Sequence, residues 1–417
     1  MAGIGWIHFS DTTRRQVLKI IDLLGEAGAV DELGIGVVRN AFSNEIFRGI
    51  STIQTRARYF FFVPYLLIDY LRSNQTEPVQ SYMNKQEMNL LEELTLHSSN
   101  PVNDRIIGHT IAQKNSQAGR RIGELVRKPS EIYWGGIREY GIFKKTHSFH
   151  QLCNAIDKHY YSNKSVDNIS TDKEKGDDNP DFEKWTELFD IPYQPGWNRK
   201  DMSLTVEEAN HLSERIIETQ QNNLIALLLK NPEWIEEFLA VEKYKDLIHT
   251  SFYLKLDTHN QKVLKTAVQF WELMYGAHIR FNILIQERPV QKEKVSFQEN
   301  WNEWLVNTIE KFNWEEFDRE FMWELTYKNS RVKYYTRQFI DSWIDKIRDK
   351  NYITAIHELD ELVRNQEIKN KNDRSKLSNT NTDVHSNWVG IDQLEYRLSY
   401  AQTIVRDIAK PLEIIYA

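Results

Sequence analysis

The chain has 417 residues, with 53 Lys and Arg against 60 Asp and Glu, so its formal net charge at pH 7 is -7. This acidic balance argues against a protein that binds polyanions over its whole surface. A single cysteine excludes an internal disulfide or a multi-cysteine metal centre within one chain. Aromatic residues make up 12% of the chain, and there are only 17 Gly and 10 Pro. We therefore predict a mainly α-helical fold of multi-helix bodies with long polar loops and little or no β-sheet.

The sequence shows neither a secretion signal nor a membrane-spanning segment. Its N-terminus lacks a basic region followed by an apolar core, and the longest apolar run, residues 59–68, is too short to span a bilayer. We expect a soluble cytoplasmic protein with no membrane partner.

A nearly all-apolar helix is predicted to start at Ser51, because Ser51 and Gln54 fit a capping box. Pro64 is expected to kink or interrupt it. Arg56 and Arg58 would point about 200° apart on this helix, so at least one must be held inside the protein. We hypothesise that one arginine is structural and the other reaches a ligand or partner, with Gln54 beside them as a further candidate contact.

Residues 104–146 carry nine basic and four acidic side chains, a local excess that is the one candidate footprint for a polyanion. Tyr133 and Trp134 lie within this stretch as candidates for base stacking or an interface. The alternatives are an ordinary solvated surface for the charges and core packing for the aromatics. We call the basic residues the basic arc: Arg105, Lys114, Arg120, Arg121, Arg127, Lys128, Arg138, Lys144 and Lys145.

Two polar segments, residues 162–180 and 366–386, contain few apolar side chains and are predicted to be a flexible linker and a flexible loop. They divide the chain into an N-terminal helical body at 1–161, a second body at 181–365 and a C-terminal segment at 387–417. The last segment is too short to fold alone.

Helical spacing is strongest in the second body, where an apolar stripe predicts one long helix over residues 257–287. Thr205 and Glu208 form a second predicted capping box. Near the C-terminus, an apolar residue recurs every three or four positions from Leu394 to Ile408. This last helix is expected to dock by its apolar face onto an earlier body.

The sequence lacks the common motifs of catalysis. Gly34-Ile35-Gly36 is followed by Arg39 where a dinucleotide fingerprint needs glycine, and no phosphate-binding GxxxxGK[ST] loop is present. His357 and Glu361 share a helix face but lack the remaining ligand of a zinc motif. Cys153, between Leu152 and Ile156, is interpreted as a buried structural thiol. We assign no catalytic residue, metal ligand or cofactor.

Three blocks of sequence carry a resemblance to a known family: DELGIG at 31–36, STIQTRARYFFFVP at 51–64 and YWGGIREYGI at 133–142. In the third block, Gly135 and Gly136 are predicted to break a helix and to let another backbone approach closely. Together the blocks resemble an uncharacterised bacterial family that is catalogued as a domain of unknown function. The resemblance implies an association with anti-phage defence loci that also encode helicases and phospholipase-D-like nucleases. It implies no catalytic residues.

The expected function is that of a non-catalytic subunit of a bacterial anti-phage complex. Such a subunit would bind partner proteins, such as the helicase or the phospholipase-D-like nuclease, and DNA or RNA as a further candidate. The alternatives are a nuclease whose active-site residues are dispersed in the sequence and a purely structural scaffold.

Overall fold

The computed structural model describes residues 31–73, 77–119, 123, 125–167, 185–287, 297–378 and 388–415. The fold is mainly α-helical, as predicted. Within these ranges, β-structure is limited to one isolated antiparallel bridge between Phe143 and Phe189.

The chain divides into two compact units, and each is assembled from separate stretches of sequence. The first unit comprises Met1–Ile46 with Glu242–Tyr396, and the second comprises Phe47–Val241 with Arg397–Ala417. The unit boundaries therefore do not coincide with the polar segments from which the contiguous bodies were predicted. Helices near both chain ends bury their apolar faces against partners that are remote in sequence, and composition does not show such pairings.

The second unit holds nine of the described helices. Its C-terminal helix, α16, packs against α7, α8 and α9 and buries Ala401, Val405 and Ile408 completely. The helices are α2 (Tyr59–Arg72), α3 (Val79–His97), α4 (His109–Ala118), α5 (Pro129–Glu139), α6 (Phe149–Asp167), α7 (Val206–Thr219), α8 (Leu224–Lys230), α9 (Ile235–Ala240) and α16 (Leu398–Ala409).

The first unit is organised around one long helix, α10, which has 29 residues. The predicted long helix at 257–287 is confirmed almost to the residue, and Asp257 caps its start by accepting a hydrogen bond from the Asn260 amide at 2.9 Å. The helices of this unit are α1 (Gly36–Ile46), α10 (Thr258–Gln286), α11 (Gln298–Trp304), α12 (Arg319–Asn329), α13 (Tyr334–Arg348), α14 (Asn351–Thr354) and α15 (Ile356–Lys371).

The two polar segments are shorter than composition suggested. Helix α6 extends through Asp167, and residues 168–180 of the first segment lie outside the described residues. The prediction of a flexible loop from residue 366 is wrong for its first part, because α15 continues to Lys371 and buries the Glu367 side chain. That carboxylate accepts hydrogen bonds from the Ser375 hydroxyl and the Lys376 amide, which hold the chain after the helix. Residues 379–386 lie outside the described residues.

The predicted capping box at Thr205 is present, with reciprocal hydrogen bonds between Thr205 and Glu208 at 3.1 and 2.9 Å. The predicted box at Ser51 is only half formed. The Gln54 side chain accepts from the Ser51 amide at 3.1 Å, but the helix itself begins at Tyr59. Pro64 lies inside α2 without ending it.

Gly136 shows why the third sequence block needs glycine. Helix α5 runs through both Gly135 and Gly136, so the prediction that they break a helix is wrong. The predicted close approach is present, because a Cβ on Gly136 would lie 2.5 Å from the Gly49 carbonyl oxygen and 2.6 Å from a ring carbon of Phe60. Gly135 has no atom within 4 Å of such a Cβ.

These two glycines predict opposite effects of the same substitution. Gly136→Ala should lower the free energy of unfolding by about 2–4 kcal/mol, because a backbone carbonyl cannot withdraw from the added methyl group. Gly135→Ala is the matched control and should raise stability by up to about 1 kcal/mol, because it removes a glycine from a helix interior. Urea unfolding of both variants measures the difference, and equal effects would contradict the close packing.

Glu87 is a fully buried carboxyl group on α3 that faces the start of α5. It accepts hydrogen bonds from the Ser130 amide at 2.6 Å and from the Ser130 hydroxyl at 3.1 Å. Burial raises the pKa of Glu87 from 4.5 to about 7, although the Ser130 hydrogen bonds act in the opposite direction.

The raised pKa of Glu87 predicts a pH-dependent stability. The folded protein keeps the Glu87 proton where the unfolded chain has lost it, so stability falls as pH rises from about 4.5 to about 7. From pH ~5 to pH ~8, the parent should lose about 2–3 kcal/mol of unfolding free energy through Glu87. The Glu87→Gln variant should not show this loss. Urea unfolding at the two pH values tests this, with exposed Glu139→Gln as control. An unchanged slope in the Glu87 variant would rule the mechanism out.

Candidate functional site

The non-helical segment directly before α2 is held in place by hydrogen bonds to the hydroxyl group of one tyrosine. Tyr133, on α5, accepts hydrogen bonds from the amides of Thr55 at 2.7 Å and Arg56 at 3.0 Å, and donates to the Arg56 carbonyl at 2.8 Å. Gln54 donates to the Gly49 carbonyl at 3.1 Å and is 2% exposed. These bonds satisfy the backbone of a non-helical segment inside the protein. Gln54 is therefore a structural residue and not a surface contact.

Arg58 is the structural arginine of the pair. Its side chain is 2% exposed and forms two hydrogen bonds to the Glu208 carboxylate, at 3.0 and 3.3 Å. It also donates to the Asp201 carbonyl at 2.6 Å, and its guanidinium lies over the Phe62 ring. Because Glu208 also closes the capping box of α7, this buried pair joins the start of α2 to the start of α7.

Arg56 is also held by a carboxylate, but its side chain keeps 17% exposure. Its Nε donates to both carboxylate oxygens of Asp407 on α16, at 3.0 and 2.9 Å, while the Ala57 amide donates to the same group at 2.8 Å. Burial raises the pKa of Asp407 above its ordinary value, although Arg56 and the Ala57 amide act in the opposite direction. One terminal nitrogen of Arg56 donates to the Asp104 carbonyl at 3.3 Å, and the side chain lines a cavity.

The cavity, which we call the basic cavity, has a volume of about 520 Å³ and lies wholly within the second unit. It collects side chains from the segment before α2, the end of α3, the loop after α3, the loop before α7 and helix α16. Five of its lining residues are cationic, namely Arg56, Arg105, Lys200, Arg406 and Lys410. His97 also lines it, and the carboxylates in its wall are Asp104, Asp201 and Asp407.

The three carboxylates of the cavity are already engaged. Asp407 binds Arg56, Asp104 accepts from the Ser98 hydroxyl at 2.5 Å, and Asp201 accepts from the Ser203 amide at 2.8 Å. By contrast, the side chains of Lys200, Arg406 and Lys410 are exposed and form no hydrogen bond or ion pair within the described part of the chain. The cavity therefore presents unneutralised positive charge.

Arg105 enters this cavity from a strained backbone position. Its φ angle is 51°, in the left-handed region that costs a non-glycine residue about 1 kcal/mol or more. The side chain donates to the Thr403 hydroxyl at 2.7 Å and has no ion pair within the described residues. Strain of this kind is concentrated at functional sites, and here it places a guanidinium at the cavity wall.

The remaining sequence candidates do not line the basic cavity. Tyr133 is fully buried and Trp134 is 5% exposed, with its indole donating to the His147 carbonyl at 2.9 Å, so neither ring is available for base stacking. Both residues lie on the face of α5 that packs into the core, where Trp134 contacts Phe143 and Phe149. Arg138, Lys144 and Lys145 are exposed elsewhere and Arg127 is partly exposed, while Arg120 and Arg121 lie outside the described residues. Of the basic-arc residues that the structure describes, only Arg105 lines the cavity.

Sequence reasoning missed Lys200, Arg406 and Lys410. Each is a single basic residue in an unremarkable context, and about 200 residues separate the first from the other two. No local spacing could have joined them to Arg56. The positive φ at Arg105 is a structural signal with no counterpart in the sequence.

The described ranges contain neither a metal-binding cluster nor a helix that could cross a membrane. No group of three or more His, Cys, Asp or Glu side chains there is arranged to hold a metal ion. In the same ranges, no helix combines the length and apolarity needed to cross a membrane. Cys153 is buried, as predicted, and burial raises the pKa of its thiol to about 12.

The two arginines should respond differently to a substitution that keeps the charge but removes the planar guanidinium. Arg58→Lys should lower the free energy of unfolding by about 2 kcal/mol or more, because its buried bidentate geometry is lost. Arg56→Lys should cost less than about 1 kcal/mol, because that side chain is partly solvated. Thermal and urea unfolding measure both. A larger loss for Arg56 would reverse the assignment of roles.

Comparison with known proteins assigns a family but no activity. The chain belongs to the family of unknown function DUF6361, whose model matches residues 1–411. No curated protein matches the chain, and no solved structure matches it.

Proposed function

We propose that this member of DUF6361 is a non-catalytic binding subunit that holds the phosphate backbone of a nucleic acid in the basic cavity. The observation that carries the proposal is the convergence of five cationic side chains on one cavity whose three carboxylates are already engaged. An anion entering this cavity meets Lys200, Arg406 and Lys410 without displacing an existing ion pair.

The side-chain chemistry supports phosphate as the anion. Guanidinium groups such as that of Arg105 match the oxygens of a phosphodiester, and lysine supplies a point charge. Among the described residues, no Phe, Tyr or Trp lines the cavity, and the His97 imidazole is its one aromatic ring, so it offers little surface on which bases could stack. We therefore expect recognition of backbone charge without base sequence, as phosphate contacts position a nucleic acid but do not read it.

The biological setting is proposed from the three sequence blocks described above. The resemblance of those blocks implies an association with anti-phage loci, and on that basis we propose that a partner such as a helicase or a phospholipase-D-like nuclease supplies the ATPase or cleavage step. This chain would then contribute contact with phage-derived DNA or RNA and with those partners.

Nucleic-acid binding by the purified chain tests this proposal. Fluorescence anisotropy with labelled single-stranded DNA, duplex DNA and single-stranded RNA should show salt-dependent binding. The double variant Lys200→Ala/Lys410→Ala should weaken binding roughly tenfold and lower the slope of log K against log salt by about 1.5–2, because two phosphate contacts are lost.

The matched control is Lys144→Ala/Lys145→Ala, which removes the same charge from exposed positions of the basic arc. It should leave affinity within about twofold, because these lysines do not line the cavity. If this pair weakens binding more than the cavity pair, the basic arc is the true footprint. Absence of binding in low salt would favour a structural scaffold, and metal-dependent cleavage by the isolated chain would favour a nuclease.

A further inference from the structure

A second cavity, with a volume of about 1050 Å³, lies within the first unit and differs in chemistry from the basic cavity. It is bordered by the C-terminal end of α10, by α11 and by the helices α13, α14 and α15. Its wall combines exposed charged and amide side chains with aromatic rings that are partly exposed. We call it the aromatic groove, and its principal residues are Phe312, Trp314, Tyr352, Glu287 and Glu310.

One wall of the groove is an irregular helix. Residues Leu305–Ile309 form a π-helical turn directly after α11, an uncommon conformation that occurs frequently at functional sites. The Phe312 and Trp314 rings beyond this turn lie 4.7 Å apart and are partly exposed. Ile353, across the groove, is 69% exposed. The groove therefore offers both aromatic faces and an apolar rim.

Most of the cations near the groove are already paired. The Arg280 guanidinium donates to both oxygens of Asp360 at 2.7 and 2.6 Å, with Trp301 beneath it at 5.2 Å. Arg348 donates to Asp345 at 2.9 Å. Lys350 is the one cation in the groove lining without a hydrogen bond or ion pair in the described part of the chain.

The carboxylates of Glu287 and Glu310 are exposed and have no hydrogen bond or ion pair within the described residues. Their surroundings reinforce the negative charge, since residues 297–324 contain eight Asp and Glu against two Lys and Arg. Lys262 and Lys265 neutralise only two of these eight, Asp318 and Glu316. The lining itself holds three carboxylates and three cations, so the negative charge available to a ligand comes from the two unpaired glutamates and from the acidic stretch beside them.

We propose that the aromatic groove binds a basic segment of a partner protein, with an arginine or lysine placed between the aromatic rings and the Glu287 and Glu310 carboxylates. The charge of the groove selects a cation, because an anion would find only Lys350 unpaired. The long aliphatic stems of arginine and lysine pack on aromatic faces while their charged ends reach a carboxylate.

The size of the groove favours a peptide segment over a single small cation. Its volume is at the upper limit for small-molecule sites, and its exposed apolar rim fits the residues that flank a basic side chain. Gln298 and Asn302 in the wall can hydrogen-bond to a peptide backbone. This site is separate from the basic cavity of the second unit, so the two proposals can fail independently.

Binding of a defined synthetic peptide tests the proposal. The probe is a fluorescein-labelled peptide of repeated Arg-Leu-Ser triplets, and a Glu-Leu-Ser peptide of equal length is the charge control. Anisotropy with the full chain should detect the arginine peptide only. Glu287→Gln/Glu310→Gln should weaken its binding roughly tenfold, because two charge-assisted contacts are lost.

The matched control for the groove is Glu299→Gln/Glu324→Gln, which removes the same charge from two exposed residues of the acidic stretch that do not line the groove. The affinity of this variant for the arginine peptide should stay within about twofold of the affinity of the parent. Lys350→Gln should bind the peptide more tightly, a gain that a misfolded protein cannot produce. Equal loss in both glutamate pairs, equal binding of the Glu-Leu-Ser peptide or no binding of the arginine peptide would overturn the proposal.

Discussion

The carboxylate of Asp407 is the constraint on which the basic cavity depends. It accepts hydrogen bonds from the Arg56 side chain and the Ala57 amide, and so joins α16 to the segment before α2. Removing it would leave the partly exposed Arg56 guanidinium and the Ala57 amide without their partner, which costs about 1–3 kcal/mol. Because Arg406 lies on the same helix as Asp407 and Lys410 directly follows the last residue of that helix, this one contact also places their charges beside Arg56 and Arg105.

The two proposed sites have opposite electrostatic character. The basic cavity gathers five cations around engaged carboxylates, whereas the aromatic groove places unpaired glutamates beside a mostly paired set of cations. The net charge of -7 is a sum over the whole chain and therefore does not indicate the charge of either site. The two proposals together describe a chain that binds an acidic polymer at one site and a basic protein segment at the other.

The residues of the three sequence blocks that carry the family resemblance contribute more to packing than to a chemical site. In the block at 31–36, Asp31 accepts hydrogen bonds from the Ile35 and Gly36 amides at 3.0 and 2.7 Å, which turns the chain into α1. Gln366 on α15 donates to the Leu33 carbonyl at 2.6 Å and holds this turn from outside. Gly136 likewise serves packing, because its lack of a side chain lets the Gly49 carbonyl approach α5 closely. These contacts serve the fold, so the blocks do not by themselves locate a ligand.

The sequence by itself determined the helical fold class, the long helix α10 and the capping box at Thr205, because each follows from residues within a few turns of one another. It also singled out Arg56 and Arg105. The tertiary structure decided that Gly136, and not Gly135, is the glycine that a remote backbone approaches. Only the tertiary structure decided that Tyr133, Trp134, Gln54 and Arg58 face the core, and that Lys200 and Lys410 stand with Arg56 around one cavity. Helical periodicity shows which face of a helix is apolar, but the identity of the partner that covers it depends on contacts between residues hundreds of positions apart.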